Sequence, residues 1–276
     1  MINLNGSGVP HFLDVPFGFK NAFLNGVKFT EVVRLESNQI LFWERHYFRI
    51  MASLRQLRFE IPLSFTASFL EDEIKKAIDW NSTIGNTALV SLHFYSEPNN
   101  SSNEKVFFVF EAASAQTFAT IHDEEFCVDI YRDGVILGEK LSNISTMNHC
   151  IRAMASVYAH ENEWDACIVL NHNKQISETT KGRFYLFLDT NIVTPPLTAG
   201  CQNTVLRKVF NDWIEKQTEY RLLERHITPF EMQTAQEVFC LDLEEGYSGI
   251  THYRKTQYPT SFGQNLFKNF LKSIVA

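Results

Sequence analysis

The side chains best suited to chemistry in this chain are five cysteines, nine histidines and a few isolated charged groups. The cysteines are odd in number and widely spaced, without the paired arrangement typical of zinc sites. No two histidines stand at i, i+4 with a third ligand, so the sequence predicts no metal site. Ser145 lies outside any Gly-x-Ser-x-Gly run, which argues against a serine hydrolase. Taken alone, Arg49 is interpreted as part of a solvated helix face and Glu178 as a strand-end carboxylate.

Composition and charge exclude several classes of protein. The 276 residues are enough for one or two globular domains. Lys and Arg number 25 against 32 Asp and Glu, a net charge of −7, which argues against binding to nucleic acid or to an anionic membrane. No stretch approaches the 18 apolar residues of a membrane span, and the first residues lack the pattern of a signal peptide. We therefore expect a cytoplasmic protein with reduced cysteines.

Strand and helix patterns alternate in the first part of the chain. Apolar residues at helical spacing predict a helix over residues 44–59, and a second helix over 68–79 is expected to begin at Ser68 as its cap. β-branched and aromatic runs predict strands over residues 25–35, 40–43, 88–95 and 105–112. A Pro, Asn and Ser-rich loop at 97–104 is expected to close a hairpin.

The same reasoning predicts a second domain. The small, polar stretch at 113–117 indicates a boundary, giving domains at residues 1–112 and 119–276 with a linker at 113–118. Strands are predicted at 126–131, 166–170, 175–178, 183–188 and 192–196, and helices at 146–161, 204–218 and 229–236. The fold class is α+β.

Three sequence motifs at the joints between these elements carry a family resemblance. They are the run HYFRIMAS at residues 46–53, ETT at 178–180, and TPPLTAGC at 194–201 followed by Arg207. Their order resembles the class IV (fold type IV) pyridoxal-phosphate aminotransferases, which include branched-chain and D-amino-acid aminotransferases and aminodeoxychorismate lyase. The resemblance covers nearly the whole chain. It implies the two-domain α+β fold of D-amino-acid aminotransferase, a homodimer, and pyridoxal phosphate as cofactor.

The resemblance also implies roles for individual residues. Arg49 corresponds to the arginine that clamps the cofactor phosphate, for which its planar guanidinium is suited. Glu178, followed by Thr179 and Thr180, corresponds to the carboxylate beside the pyridine nitrogen, which keeps that nitrogen protonated. Thr204 and Val205 stand where the family's phosphate-binding helix begins and offers free N–H groups.

The Schiff-base lysine of the family is absent from its expected position. The family's Lys-x-x-Asn run corresponds to residues 145–148, STMN, so Ser145 stands at the lysine position. The 33-residue spacing from Ser145 to Glu178 agrees with the family register. A hydroxyl cannot form an imine and is a poor base for the proton transfer that the lysine performs.

Other departures predict weaker cofactor binding. Arg183 replaces an asparagine of the family, and Leu206 replaces a hydroxyl residue at the phosphate helix. Asp242 and Glu244 would bring carboxylates near the phosphate, where like charges within about 4 Å cost on the order of 1 to 4 kcal/mol.

Three functional interpretations follow. The first is a family member without transamination or lyase chemistry, which retains a small anionic ligand between its domains or none. The second is an active aminotransferase or lyase that uses a substitute amine, for which Lys140 and Lys181 are candidates and Lys174 is a weaker one. The third is a homodimeric interaction module, since the 24 phenylalanines would suit a large interface as well as two domain cores.

Overall fold

The computed structural model describes residues 1–11, 26–82, 84–96, 106–119, 121, 124–146 and 150–275. The chain divides into two compact units. The first contains Met1–Thr117 together with Ser145–Met147, and the second contains Phe118–Ile144 and Asn148–Ala276.

A six-stranded antiparallel sheet forms the first unit, in the order β2-β1-β6-β5-β3-β4. Its strands are β1 (Ile2–Leu4), β2 (Ser7–Val9), β3 (Val27–Glu36), β4 (Gln39–Ile40), β5 (Ala88–Ser96) and β6 (Phe107–Ser114). Helix α1 (Trp43–Gln56) contacts β3, and helix α2 (Ala67–Asp79) contacts β1, β5 and β6.

Strand alternation explains which face of this sheet is buried. Phe29, Glu31 and Val33 on β3 are all buried, as expected for residues two apart that share a face. The Phe29 ring stacks on Phe94 of β5 with 6.0 Å between ring centroids. These aromatic rings lie in the core of the first unit.

Element ends differ from prediction in the first unit. Trp43 was expected to end a strand but begins α1, because the chain turns at Leu41 and Phe42, where Phe42 has φ of 54°. Thr66, rather than Ser68, caps α2, and its Oγ1 accepts the N–H of Phe69 at 3.2 Å. The strand expected to end at residue 112 continues to Ser114. The predicted loop at 97–104 lies outside the described residues.

Two five-stranded mixed sheets form the second unit. One has the order β16-β15-β7-β8-β9 and consists of β7 (Cys127–Ile130), β8 (Ala166–Leu170), β9 (Ile176–Thr179), β15 (His252–Tyr253) and β16 (Thr256–Gln257). The other has the order β12-β11-β10-β13-β14 and consists of β10 (Arg183–Leu188), β11 (Asn191–Thr194), β12 (Arg221–Glu224), β13 (Glu237–Asp242) and β14 (Gly246–Ile250).

Helices cover both sheets of the second unit. Helix α3 (Cys150–Glu161) packs on β8, α4 (Val205–Ile214) on β12 and β13, and α5 (Ser261–Val275) on β13 and β14. Short 3₁₀ helices occur at Lys140–Asn143, Leu197–Ala199 and Pro229–Gln233. The last replaces the α-helix expected at 229–236. The helix expected at 146–161 does not begin at Thr146, because this residue forms a β-bridge with Phe29. The helix is described from Cys150, and residues 147–149 lie outside the described part. No helix in the described ranges is long and apolar enough to cross a membrane.

Candidate functional site

Glu178 is the centre of a buried cluster of charges in the second unit. The end of β9 places it where only 1% of the residue is exposed. Its Oε1 accepts a hydrogen bond from Arg152 Nε. Its Oε2 accepts one from Arg183 Nη1 at 2.5 Å and another from the backbone N–H of Gln202 at 2.9 Å. Both carboxylate oxygens therefore already have charged donors from the chain itself.

These arginines decide the ionisation of Glu178. Burial alone disfavours the charged carboxylate, but the charges of Arg183 and Arg152 outweigh it and hold the pKa of Glu178 below its ordinary value. The carboxylate is charged at neutral pH, and two guanidinium groups face it. The three side chains together carry a net charge of +1.

Arg152 is the residue of this cluster that the sequence analysis missed. It lies on α3, and its Nη2 also donates to the backbone oxygens of Ser142 at 2.9 Å and Gly200 at 3.1 Å. Gly200 has φ of +93°, and a Cβ there would lie 2.6 Å from Ile136 Cγ2, so glycine is required. The available signal was an arginine four positions after Asn148 in the sequence.

Besides its ion pair with Glu178, Arg183 has only weaker contacts among those described. The residue is 7% exposed, and Nη1 reaches Gln202 only at 3.4 to 3.5 Å. Its buried Nε has no hydrogen-bond partner. Arg183 also faces Asp242, whose pKa is raised by burial in spite of the nearby guanidinium. Sequence comparison with the family had marked Arg183 only as a departure, and the structure shows that it binds Glu178.

The two threonines after Glu178 have local partners. Thr179 Oγ1 donates to the backbone oxygen of Gly182 at 3.0 Å, and Thr180 Oγ1 accepts the N–H of Cys167 at 3.0 Å. Both hydroxyls therefore stabilise the turn between β9 and β10 and its neighbouring strand. Their predicted cofactor contacts stay a prediction.

The start of α4 is partly occupied by the chain. Thr204 is the N-cap, and its Oγ1 accepts the N–H of Arg207 at 3.3 Å. Val205 and Leu206 are buried and contribute no side-chain donor. Arg207 points back into the unit, where its Nη2 donates to the backbone oxygen of Pro195 at 2.9 Å and lies 3.2 Å from Glu224 Oε2. The anion site that the resemblance implied here stays a prediction.

Arg49, the expected phosphate clamp, belongs to the first unit and forms an ion pair with Glu31. His46 Nδ1 lies 2.6 Å from the other oxygen of the Glu31 carboxylate. Burial lowers the pKa of His46 to about 3, so its imidazole is neutral and donates to Glu31. Arg49 is therefore neither a solvated helix residue nor an isolated cation.

Ser145 also belongs to the first unit. Its backbone oxygen accepts the N–H of Thr30 at 2.8 Å, and Thr146 forms a β-bridge with Phe29. This short pairing extends the edge of β3. Asn148 and His149, which follow in the family motif, lie outside the described residues.

The candidate substitute lysines belong to the second unit, and all three are exposed. Lys140 is on a 3₁₀ helix, and Lys174 is in a turn with φ of 59°. Lys181 Nζ lies 2.5 Å from Glu245 Oε1, and this hydrogen bond raises the pKa of the ammonium group. An amine nucleophile needs the opposite shift, so Lys181 is poorly suited to imine formation.

Comparison with known proteins identifies the family. The family model for amino-transferase class IV matches residues 28–242, so the chain belongs to the class IV aminotransferase family. No relative was found among curated protein sequences. The resemblance stated from the motifs, and the α+β fold that it implied, are confirmed.

Solved structures have the same fold at low sequence identity. The branched-chain aminotransferase of Thermoproteus uzoniensis with norvaline is 17% identical, with a TM-score of 0.84 over 99% of this chain and 94% of that one. A Legionella pneumophila protein assigned as a 4-amino-4-deoxychorismate lyase is also 17% identical, with a TM-score of 0.81 over 96% and 98%. The pyridoxal-phosphate form of a Thermobaculum terrenum branched-chain aminotransferase is 16% identical, with a TM-score of 0.81 over 99% and 93%.

Proposed function

We propose that this chain is a class IV aminotransferase-fold protein that does not carry out transamination or lyase chemistry with pyridoxal phosphate. The observation that carries the proposal is the double ion pair of Glu178 with Arg152 and Arg183. Ser145 at the family lysine position supports it independently, because a hydroxyl supplies no imine nitrogen.

The residues present do not fit pyridoxal phosphate in the family manner. When bound in such enzymes, the cofactor withdraws electrons through a protonated pyridine nitrogen that needs a free carboxylate partner. Here the carboxylate of Glu178 already accepts hydrogen bonds from two guanidinium groups. A protonated pyridine nitrogen at the same carboxylate would lie close to both of these positive charges. Repulsion between like charges about 4 Å apart costs on the order of 1 to 4 kcal/mol.

The residues expected to bind the cofactor phosphate support the same proposal. Arg49 is paired with Glu31, and the start of α4 has Leu206 where the family has a hydroxyl donor. The predicted approach of Asp242 and Glu244 to a phosphate adds further repulsion. A small anionic ligand remains part of the proposal, because the side chains of Glu178, Arg152 and Arg183 together carry a net charge of +1.

The test is a visible absorption spectrum of the full-length protein with added pyridoxal phosphate, followed by borohydride reduction and peptide mass mapping. We expect no retained cofactor and no reduced adduct on any lysine. An adduct on one defined lysine, with Lys140 and Lys181 the first to examine, would overturn the proposal in favour of an active enzyme with a substitute amine. Multiple-turnover transamination of an amino acid would also overturn it.

A series of variants distinguishes two reasons for the expected lack of cofactor chemistry. One is the missing lysine amine at residue 145, and the other is the pairing of the Glu178 carboxylate with two arginines. Ser145→Lys alone supplies the amine, and we expect it to give no adduct because Glu178 stays paired. Ser145→Lys combined with Arg152→Gln and Arg183→Asn frees Glu178 and restores the family asparagine, so an adduct at residue 145 is expected. An adduct in the single variant would show that the arginines do not block the cofactor. Circular dichroism of each variant controls for folding.

Location and assembly also belong to the proposal. The family resemblance supports a homodimer in the cytoplasm. Light scattering during size exclusion is expected to give twice the mass of the chain, and a monomer at all concentrations would contradict the dimer.

A further inference from the structure

The second unit contains a group of three metal-binding side chains that has no part in the proposed function. Glu125, Cys127 and His252 each offer one ligand atom, and these atoms all lie within 4.8 Å of one another. Among the described residues they form a compact set with three different donor types, a carboxylate oxygen, a thiol sulfur and an imidazole nitrogen.

The pairing of two strands brings these residues together. Cys127 begins β7 and lies opposite His252 of β15 in a parallel register, so their side chains share one face of the sheet. Glu125 lies two residues before Cys127, ahead of β7, and its carboxylate lies within 4.8 Å of the other two ligand atoms. Nothing in the sequence spacing announced the group, because 125 residues separate Cys127 from His252.

Hydrogen bonds fix the tautomer of His252. Thr251 Oγ1 donates its single proton to the backbone oxygen of Phe126 at 3.2 Å and accepts the N–H of Phe126 at 2.8 Å. The same oxygen lies 2.9 Å from His252 Nδ1, and there it must act as acceptor. Nδ1 therefore carries the ring proton, and Nε2 presents its lone pair. A metal-binding histidine is commonly held this way, with its other nitrogen bound to an oxygen.

The surroundings of the sulfur are negative. The carboxylates of Asp165 and Glu125 lie close to Cys127. The Asp165 carboxylate is itself fixed there by the N–H of Cys127, which it accepts at 2.7 Å. Two carboxylates near the sulfur favour a cation there.

We propose that Glu125, Cys127 and His252 form a zinc site with three protein ligands and a fourth position open to solvent. Zinc is the metal that this donor set favours, because thiolate and imidazole are poor ligands for magnesium and calcium. Bond lengths of about 2.0 to 2.3 Å place tetrahedral ligands roughly 3.3 to 3.8 Å apart. The present separations therefore require a contraction of at most roughly 1.5 Å. Glu125 is exposed, and so is Gln257, whose amide now contacts His252 Nε2 at 3.1 Å; both are free to adjust.

The test is titration of the full-length, untagged protein with Zn²⁺ by calorimetry, and with Co²⁺ by absorption. We expect one ion per chain and a thiolate-to-cobalt charge-transfer band. Cys127→Ser is expected to abolish the band, and both Cys127→Ser and His252→Gln to weaken Zn²⁺ binding at least tenfold. Cys150→Ser, which removes an exposed cysteine elsewhere, is the matched control and is expected to leave both unchanged.

The melting temperature of the protein gives a second test. Zn²⁺ that binds only the folded chain raises its melting temperature, and this rise is expected to disappear in Cys127→Ser. The absence of stoichiometric Zn²⁺ binding would overturn the proposal, as would an undiminished cobalt band in Cys127→Ser. Glu125→Gln leaves the two β-strands intact, and unchanged Zn²⁺ affinity in that variant would remove Glu125 from the site.

Discussion

The ion pairs of Glu178 with Arg152 and Arg183 stabilise the fold as well as shaping the candidate site. Glu178 is almost completely buried, and its partners are Arg152 of α3, Arg183 of β10 and the backbone N–H of Gln202. Sequence could suggest that residue 178 matters, because the ETT motif is local. It could not show that Arg152 occupies one of its oxygens, because that contact depends on how α3 packs on β8.

Replacement of Glu178 by Gln is expected to destabilise the protein strongly. The amide keeps the shape but leaves two buried guanidinium groups without a counter-charge, and breaking a buried ion pair this way typically costs about 3 to 5 kcal/mol. Urea unfolding measures the change in free energy. The matched control is Glu245→Gln, which removes the exposed partner of Lys181 and is expected to cost less than about 1 kcal/mol. Equal losses in the two variants would refute a special role for the buried cluster.

At the scale of elements, sequence patterns predicted the central residues of strands and helices better than the residues at which they begin and end. The strands at 166–170 and 183–188 match the structure at both ends, since their apolar runs are bounded by turn residues. The short strands β1, β2, β12, β15 and β16 were not predicted, because they depend on their pairing partners more than on a pattern of their own. The longer strands β13 and β14 and helix α5 were not predicted either. The zinc-ligand group depends on one of these strands, β15, which is why no spacing rule could find it.

The start of α2 allows a direct test of the revised helix boundary. Thr66→Ala removes the side chain that accepts the Phe69 N–H, and we expect a loss of about 1 kcal/mol in unfolding free energy. Ser68→Ala, the change at the cap predicted from sequence, is expected to cost less than about 0.5 kcal/mol. Chemical denaturation of both variants decides between the two boundaries, and the reverse order would restore Ser68 as the cap.

At the scale of the whole molecule, two histidines tie global stability to pH, the buried His46 and the partly buried His93. Burial lowers the pKa of His46 to about 3, and burial with the charge of Lys28 lowers that of His93 to about 4. In the unfolded chain both histidines would take up protons near pH 6.5, whereas the folded chain excludes them. The stabilisation is therefore complete above pH 6.5 and is lost as the pH falls towards 4 and then 3.

The measurement is unfolding free energy between pH 6.5 and the carboxyl range near 4.5. Each of these two histidines is expected to contribute a slope of up to about 1.4 kcal/mol per pH unit. His46→Gln is expected to remove about half of the combined slope, whereas His160→Gln, at an exposed position, leaves it unchanged. A slope that is the same in both variants would mean that His46 is protonated in the folded protein.

The assignment of Ser145–Met147 to the first unit has a consequence for the order in which the chain is made. A ribosome releases residues 1–117 and then a stretch of the second unit before it reaches the residue whose backbone oxygen accepts the Thr30 N–H. A nascent chain that stops short of residue 145 therefore exposes the edge of β3 at Thr30, and the first unit is finished only after synthesis of the second has begun.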